Sequence, residues 1–294
     1  MDLNTVIRSF RNGFDWLSDR RVYAWFGVLV VLWAIAYAAS ALLSGTAFNV
    51  AISAIDYAMK FVGLFIVVPV ALRHYGEKTG FGGISFTEIK EWLKYTVVNA
   101  VVQFFNWQDK RILAAQVIIA AAALIVWFSG FDQQLSALNA IDQTNLSAQA
   151  LEGINFTTLS IGLVVLALLW LFQTYNAIRY ALLIQVRLAE GKDIMDSVGK
   201  AWKLTDGRLL TTLALLIVWS IFSFAMNLVA SAFSGVLFFF NGIVFSFLTV
   251  TWAFVFTSYY LSLRGSAHEA SAHEARAPAP VKKRPPVRAV HLKK

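Results

Sequence analysis

Long stretches that lack Asp, Glu, Lys, Arg and His constrain this chain more than any other feature. Residues 22–43 and 209–223 contain none of these side chains. A helix rises about 1.5 Å per residue, so about 20 apolar residues cross the hydrocarbon core of a bilayer. Lipid offers no partner to backbone N–H and C=O groups, so a stretch of this length must be helical. The pattern predicts an all-α, polytopic transmembrane helix bundle with six spans, at residues 22–43, 48–72, 112–130, 157–180, 209–230 and 236–263.

The composition agrees with lipid as the main solvent of the chain. Hydrophobic residues make up 58% of the sequence and charged residues 14%, whereas soluble domains carry about a quarter charged residues. The chain has no cysteine, which excludes a disulfide framework, a thiolate nucleophile and a zinc–thiolate site.

Lys and Arg residues fall on one side of the six-span topology. Of the 25 in the chain, 24 lie at that side, including Arg179 at the inner end of the fourth span, and the exception is Lys60. Because cytoplasmic loops are rich in Lys and Arg, we expect both termini in the cytoplasm and the protein in the cytoplasmic (plasma) membrane. The expected organisation is a cytoplasmic N-terminal segment (1–21), a transmembrane domain (22–263) and a cytoplasmic tail (264–294), with basic connections at 73–111 and 179–208.

The connection between the third and fourth spans forms the one sizeable loop on the other side. This outer loop, residues 131–156, contains three acidic residues and no Lys or Arg. Asn145 and Asn155 each begin an Asn-x-Ser/Thr pattern, which is the acceptor for N-glycosylation. The pattern is short enough to arise by chance, so both asparagines are candidates only in a host that makes this modification.

Two connections on the basic side have the apolar periodicity of interfacial amphipathic helices, at about residues 85–106 and 193–206. In the first, Ser85 and Glu88 form a capping box, and apolar residues recur every three or four positions behind it. In the second, Asp193 is the expected N-cap. The predicted apolar stripes are Phe86, Ile89, Leu93, Val97, Ala100 and Phe104 in the first helix, and Ile194, Val198, Ala201 and Thr205 in the second.

The tail, residues 264–294, has a different composition from the rest of the chain. Residues 266–270 and 271–275 have the same five-residue sequence, and four of the chain's five prolines follow. A segment with no apolar face cannot bury enough surface to fold, so we expect disorder. Its basic residues are expected to contact anionic lipid head groups, with nucleic acid or ribosomes as less favoured polyanions. The candidate residues are Lys282, Lys283, Arg284 and Arg288.

Four polar residues within the spans form the candidate membrane site. Asp56 and Lys60 lie four positions apart with the acid first, which is the better order for pairing along a helix. They are either a self-neutralised pair or the lining of a polar cavity for an ion or head group. Asn176 and Arg179 lie near one face at the inner end of the fourth span. Arg179 there either anchors to the lipid phosphate layer or binds the carboxylate or phosphate of a substrate.

Spaced residues between 190 and 208 resemble a known family. The pattern comprises Glu190-Gly191, Ser197, Ala201-Trp202, Leu204 and Gly207-Arg208. It is similar to a broad group of six-span prokaryotic membrane proteins of unassigned function, which are related to the membrane domain that accompanies some glycerophosphodiester phosphodiesterases. The resemblance covers about residues 160–262 and implies the six-span fold. The soluble catalytic barrel of those phosphodiesterases is absent here, so their hydrolytic activity is not implied.

The sequence contains no visible catalytic constellation, phosphate-binding glycine loop or metal-ligand cluster. We therefore expect a non-enzymatic protein without a cofactor or metal, which organises the membrane or interacts with lipid through its amphipathic helices and tail. The alternative is a small-solute or lipid transporter with its site near Asp56, Lys60 and Arg179. The two differ in that a transporter needs a polar cavity reaching the bilayer midplane. Neither a protein partner nor an oligomeric state is indicated.

Overall fold

The computed structural model describes residues 2–42, 45–140, 154–234 and 239–276, and all regular structure within them is helical. Two π-helical turns, Val62–Val67 and Trp127–Phe131, join α3 to α4 and α6 to α7. The helices are α1 Leu3–Asn12, α2 Arg20–Leu42, α3 Gly45–Phe61, α4 Val68–His74, α5 Phe86–Phe104, α6 Lys110–Val126, α7 Asp132–Ala140, α8 Phe156–Tyr180, α9 Leu183–Glu190, α10 Ile194–Thr205, α11 Leu209–Ser234 and α12 Phe240–Arg276.

Six helical stretches are long and apolar enough to cross a membrane, which confirms the predicted all-α polytopic bundle. Span 1 is α2, span 2 runs from α3 through α4, span 3 runs from α6 into α7, span 4 is α8 continued by α9, span 5 is α11 and span 6 is α12. Their bounds are Arg20–Ala39, Gly45–His74, Lys110–Ser136, Phe156–Glu190, Leu209–Phe233 and Phe240–Gly265.

The buried core lies at the end of the bundle that carries the Lys- and Arg-rich segments, which we call the basic end. Residues 65–72 of span 2 and 253–260 of span 6 are almost entirely buried there. Pro69 lies in this part of span 2, directly after the π turn. Proline cannot donate to the carbonyl four residues earlier and its ring crowds that carbonyl, so the wider π turn accommodates it.

Span 6 is the central helix of the described bundle. It packs against spans 1, 2 and 5 and against α1, whereas spans 3 and 4 pack mainly on each other. This span 3–span 4 hairpin joins the other helices through α5, α10 and span 5, and through α9, which packs on α4 of span 2 and on span 6. Most of the hairpin surface is therefore exposed, as is expected where lipid is the solvent.

The last helix extends further than the sequence predicts. We expected disorder from residue 264, but α12 continues to Arg276. The added residues include the duplicated Ala- and Glu-containing sequence, and both residue types favour helix. The first proline of the tail is Pro278, which marks where a helix can no longer continue. Residues 277–294 lie outside the described residues.

Candidate functional site

Asp56 and Lys60 form the predicted ion pair on span 2. Lys60 Nζ lies 2.5 Å from Asp56 Oδ2. The side chains remain 56% (Lys60) and 44% (Asp56) exposed, so the pair lies on the surface of the bundle. Lys60 Nζ also lies 5.7 Å from the ring centroid of Tyr57. The charges therefore compensate each other while both remain accessible from the side of the bundle.

A groove of about 380 Å³ between spans 2, 5 and 6 begins at Lys60. Its volume falls within the range of small-molecule sites, which is about 300–1,000 Å³. Gly63 leaves the wall of span 2 open beside Thr249 of span 6. A cavity beside Lys60 is one of the two alternatives for the ion pair, but its walls could not be predicted, because they come from three spans that are distant along the chain. The lining includes Lys60, Leu64, Trp219, Ser223, Asn227 and Trp252.

Arg179 is buried and contacts three protein groups. Its Nη1 donates to Asp206 Oδ1 at 3.0 Å and its Nε to the Tyr175 hydroxyl at 3.1 Å. The guanidinium carbon lies 4.1 Å from the ring centroid of Trp202. A cation over a Trp face is attracted by the ring quadrupole. Arg179 thus fastens the end of span 4 to α10, and its charge is already compensated by Asp206.

Asn176 belongs to a buried amide cluster one turn before Arg179. Its Nδ2 donates to the Gln103 carbonyl at 3.0 Å, and its Oδ1 accepts from Asn106 Nδ2 at 3.3 Å. The Asn106 backbone N–H in turn donates to Gln116 Oε1 at 2.6 Å. The cluster joins α5, span 3 and span 4. The four candidate membrane residues therefore do not form one site: Asp56 pairs with Lys60, whereas Asn176 and Arg179 each have partners of their own.

Helix α5 exposes the apolar stripe that the sequence predicts for it. The five large residues of the stripe are 39–81% exposed. The opposite face is packed on the bundle, where Glu88, Tyr95 and Val102 are buried. We call the exposed set the α5 stripe; it comprises Phe86, Ile89, Leu93, Val97, Ala100 and Phe104.

The packed face of α5 is fixed by two carboxylates. Glu88 accepts from the backbone N–H groups of Gly82, Gly83 and Ser85, which completes the capping box. Burial raises the pKa of Glu88, but these hydrogen bonds outweigh it and the pKa lies below the ordinary value. Glu91 Oε2 accepts from Arg187 Nη2 of α9 at 2.8 Å. The helix is therefore held in one rotational setting, with its stripe directed away from the protein.

Helix α10 has the opposite arrangement. Its predicted stripe, Ile194, Val198, Ala201 and Thr205, is buried against the bundle. Its polar face instead lines a cavity of about 940 Å³ at the basic end, whose cations are Lys192, Lys200, Lys203 and Arg208. The apolar side of α10 is thus occupied by protein, and of these two helices α5 is the one that presents its apolar stripe outward.

Several ion pairs at the basic end were not foreseen from the sequence. Examples are Glu91 with Arg187, and Glu190, which accepts from Lys200 and from the Tyr260 hydroxyl. The contacts of Glu91 with Arg187 and of Glu190 with Tyr260 join residues that are 96 and 70 positions apart. The sequence of one segment does not indicate which distant residue will form an ion pair with it.

The remaining sequence candidates are only partly described. Asn155 is exposed and caps α8, since its Oδ1 accepts from the Thr158 N–H at 3.1 Å. Its glycosylation stays a prediction. Five candidates lie outside the described residues: Asn145, Lys282, Lys283, Arg284 and Arg288.

The resemblance to the six-span prokaryotic family also stays a prediction. Comparisons with protein-family models, curated proteins and solved structures find no match to this chain.

Proposed function

We propose that this integral membrane protein is a non-enzymatic lipid-interacting protein of the cytoplasmic membrane, with both termini in the cytoplasm. In this proposal α5 lies at the cytoplasmic surface and binds anionic lipid. The observation that carries the proposal is the α5 stripe, which stays exposed although the opposite face of α5, with Glu88, Tyr95 and Val102, is packed on the bundle.

The chemistry of α5 suits the boundary between head groups and acyl chains. Its stripe offers apolar area to the acyl chains, and an amphipathic helix binds the interface through such area together with basic residues. At 100° per residue, Lys90 and Lys94 lie along one edge of the stripe, and both are exposed. Lysines so placed can extend towards head groups while their stems remain in apolar surroundings.

The rotational fixing of α5 supports the same function. Glu88 binds the loop before the helix, and Glu91 binds Arg187. A helix fixed in this way presents its stripe without first having to order itself, so less free energy is lost on binding. The basic tail would add further attraction for anionic lipid, at about 1 kcal/mol for each Lys or Arg near the surface.

The decisive experiment compares lipid selectivity around the reconstituted full chain. Spin-labelled phosphatidylglycerol and phosphatidylcholine are added to membranes containing the protein, and the motionally restricted fraction of each is measured. We expect the wild type to favour phosphatidylglycerol. Lys90→Gln/Lys94→Gln should lower that preference several-fold, since each lysine contributes about 1 kcal/mol near an anionic surface.

The matched control removes the same charge elsewhere at the basic end. Lys78 and Lys203 are also exposed, and neither borders the α5 stripe. Lys78→Gln/Lys203→Gln should leave most of the preference intact. An equal loss in both double variants would show that only total charge matters and would refute the role of α5.

A further inference from the structure

The groove between spans 2, 5 and 6 has a charged lining residue, Lys60, near one end. Span 2 runs towards the basic end and span 5 away from it, so Lys60 and Asn227 lie at the groove end farther from the basic end, together with the apolar Met59 and Phe245. Leu64, Trp219 and Trp252 lie at the nearer end. An apolar groove with a charged residue at one end matches an amphiphile with its head group at that end and its chain directed towards the bilayer centre.

The ion pair at this end limits which head groups can bind. Lys60 lines the groove, and its Nζ reaches back one turn to Asp56, which lies just beyond the lining. An ammonium and a carboxylate therefore lie side by side next to the groove. The pair carries no net charge, so it offers no net attraction to an anionic head group. A zwitterionic head group can instead satisfy both residues. Its phosphate would bind Lys60, and its primary ammonium would bind Asp56 through charge-assisted hydrogen bonds.

The order of the two residues fits this assignment. Asp56 precedes Lys60 on span 2 and therefore lies farther from the basic end. In a phospholipid with an ethanolamine head group, the phosphate is attached to the glycerol and the ammonium lies beyond it. A lipid whose chain enters the groove past Leu64 would place its phosphate beside Lys60 and its ammonium beside Asp56.

We propose that this groove is a binding site for one phospholipid with a zwitterionic ethanolamine head group, from the leaflet opposite the basic end. The site is separate from the anionic-lipid surface of α5 and does not depend on it. The alternative hypothesis is that Asp56 and Lys60 form an internal ion pair, which only reduces the free-energy cost of placing charge in the membrane. The two readings differ in what happens when the residues are exchanged.

The experiment uses native mass spectrometry of the full chain in detergent with phosphatidylethanolamine, phosphatidylcholine or phosphatidylglycerol, all with the same acyl chains. We expect the wild type to retain one phosphatidylethanolamine with roughly tenfold higher affinity than phosphatidylcholine. The ratio is the loss of affinity expected for phosphatidylcholine, because its quaternary ammonium cannot donate a charge-assisted hydrogen bond to Asp56. Lys60→Gln should lower phosphatidylethanolamine affinity by a similar factor.

The exchange variant Asp56→Lys/Lys60→Asp keeps an ion pair at the same spacing but places the acid beside the phosphate. Under our proposal the variant loses the retained phosphatidylethanolamine, and an internal ion pair alone would leave lipid binding unchanged. Retention of all three lipids to the same extent, or a preference for phosphatidylglycerol, would overturn the proposal.

A second variant tests the groove without altering the charges. Ser223→Phe should fill the groove and displace the lipid, because Ser223 lines the groove between Trp219 and Asn227 on span 5. Folding is checked by size-exclusion chromatography and helicity. Lys90→Gln/Lys94→Gln should leave the bound phosphatidylethanolamine in place, so failure of this proposal is distinguishable from failure of the α5 proposal. A well-folded Ser223→Phe variant that keeps the lipid would refute the groove.

Discussion

Gly63→Ala tests the contact between spans 2 and 6 that shapes the groove. A Cβ at this position would lie 2.6 Å from Thr249 Cγ2. Carbon atoms pack best at about 3.5–4.0 Å, so the added methyl group is roughly 1 Å too close. The Cβ position is set by the backbone of span 2, and Thr249 Cγ2 moves away only if the Thr249 side chain rotates or span 6 shifts.

Two opposing effects determine the size of the change. Overpacking of this kind costs about 1–3 kcal/mol, while alanine is favoured over glycine in a helix by about 1 kcal/mol. The net destabilisation of Gly63→Ala should therefore be about 0–2 kcal/mol. Thr249→Ser removes the clashing Cγ2 but keeps the hydroxyl, which donates to the Phe245 carbonyl at 2.9 Å. The double variant should recover the loss and reveal a coupling of about 1–3 kcal/mol.

Reversible unfolding in mixed micelles, followed by circular dichroism, gives the four free energies of this double-mutant cycle. Gly27→Ala in span 1 is the matched control, because a Cβ there meets no atom within 4 Å. Gly27→Ala should leave the free energy of unfolding unchanged or raise it. A coupling below about 0.5 kcal/mol, which is the usual limit of additivity between independent sites, would mean that spans 2 and 6 do not approach each other at Gly63.

Three further predictions concern orientation, the ion pair and pH. In the cysteine-free chain, Met195→Cys should be labelled by an impermeant maleimide only from the cytoplasm and Ala140→Cys only from outside; the reverse would invert the proposed orientation. Lys60→Leu should destabilise the protein more than Asp56→Leu/Lys60→Leu, by up to about 3 kcal/mol in SDS unfolding, because it leaves an unpaired charge in the membrane. The guanidinium and ammonium groups bonded to Glu91 hold its pKa below the ordinary value, so its contribution is complete above about pH 4.3 and is lost as pH falls through the lowered pKa. Glu91→Gln should flatten the acid limb of a stability–pH profile, and an unchanged limb would contradict this role.

The features that the sequence predicts well are those encoded within one segment. A span depends on the hydropathy of about 20 consecutive residues, and the capping box at Ser85 and Glu88 depends on four. Both are present in the structure. The ion pair of Asp56 and Lys60 is also local, since it joins neighbouring turns of one helix.

The features that the sequence could not predict depend on which segments meet. The sequence placed Arg179 and Asn176 with Asp56 and Lys60 as one candidate site, since all four are polar residues in or near spans. Arg179 instead meets Trp202 and Asp206. Trp202 lies in α10 and Asp206 directly follows it. They become neighbours of Arg179 only once α10 has packed against the end of α8.

The contrast between α5 and α10 shows how lipid changes the interpretation of amphipathic helices. Both have an apolar stripe at helical spacing, yet Val198 of α10 is buried and Val97 of α5 is 64% exposed. In water, an exposed stripe of six apolar residues would be an aggregation surface or a partner site. Beside a bilayer the same stripe has acyl chains as its solvent, so it can remain exposed without that cost. Periodicity alone therefore identifies an apolar face, and the packing of the opposite face shows whether protein covers it, as in α10, or leaves it exposed, as in α5.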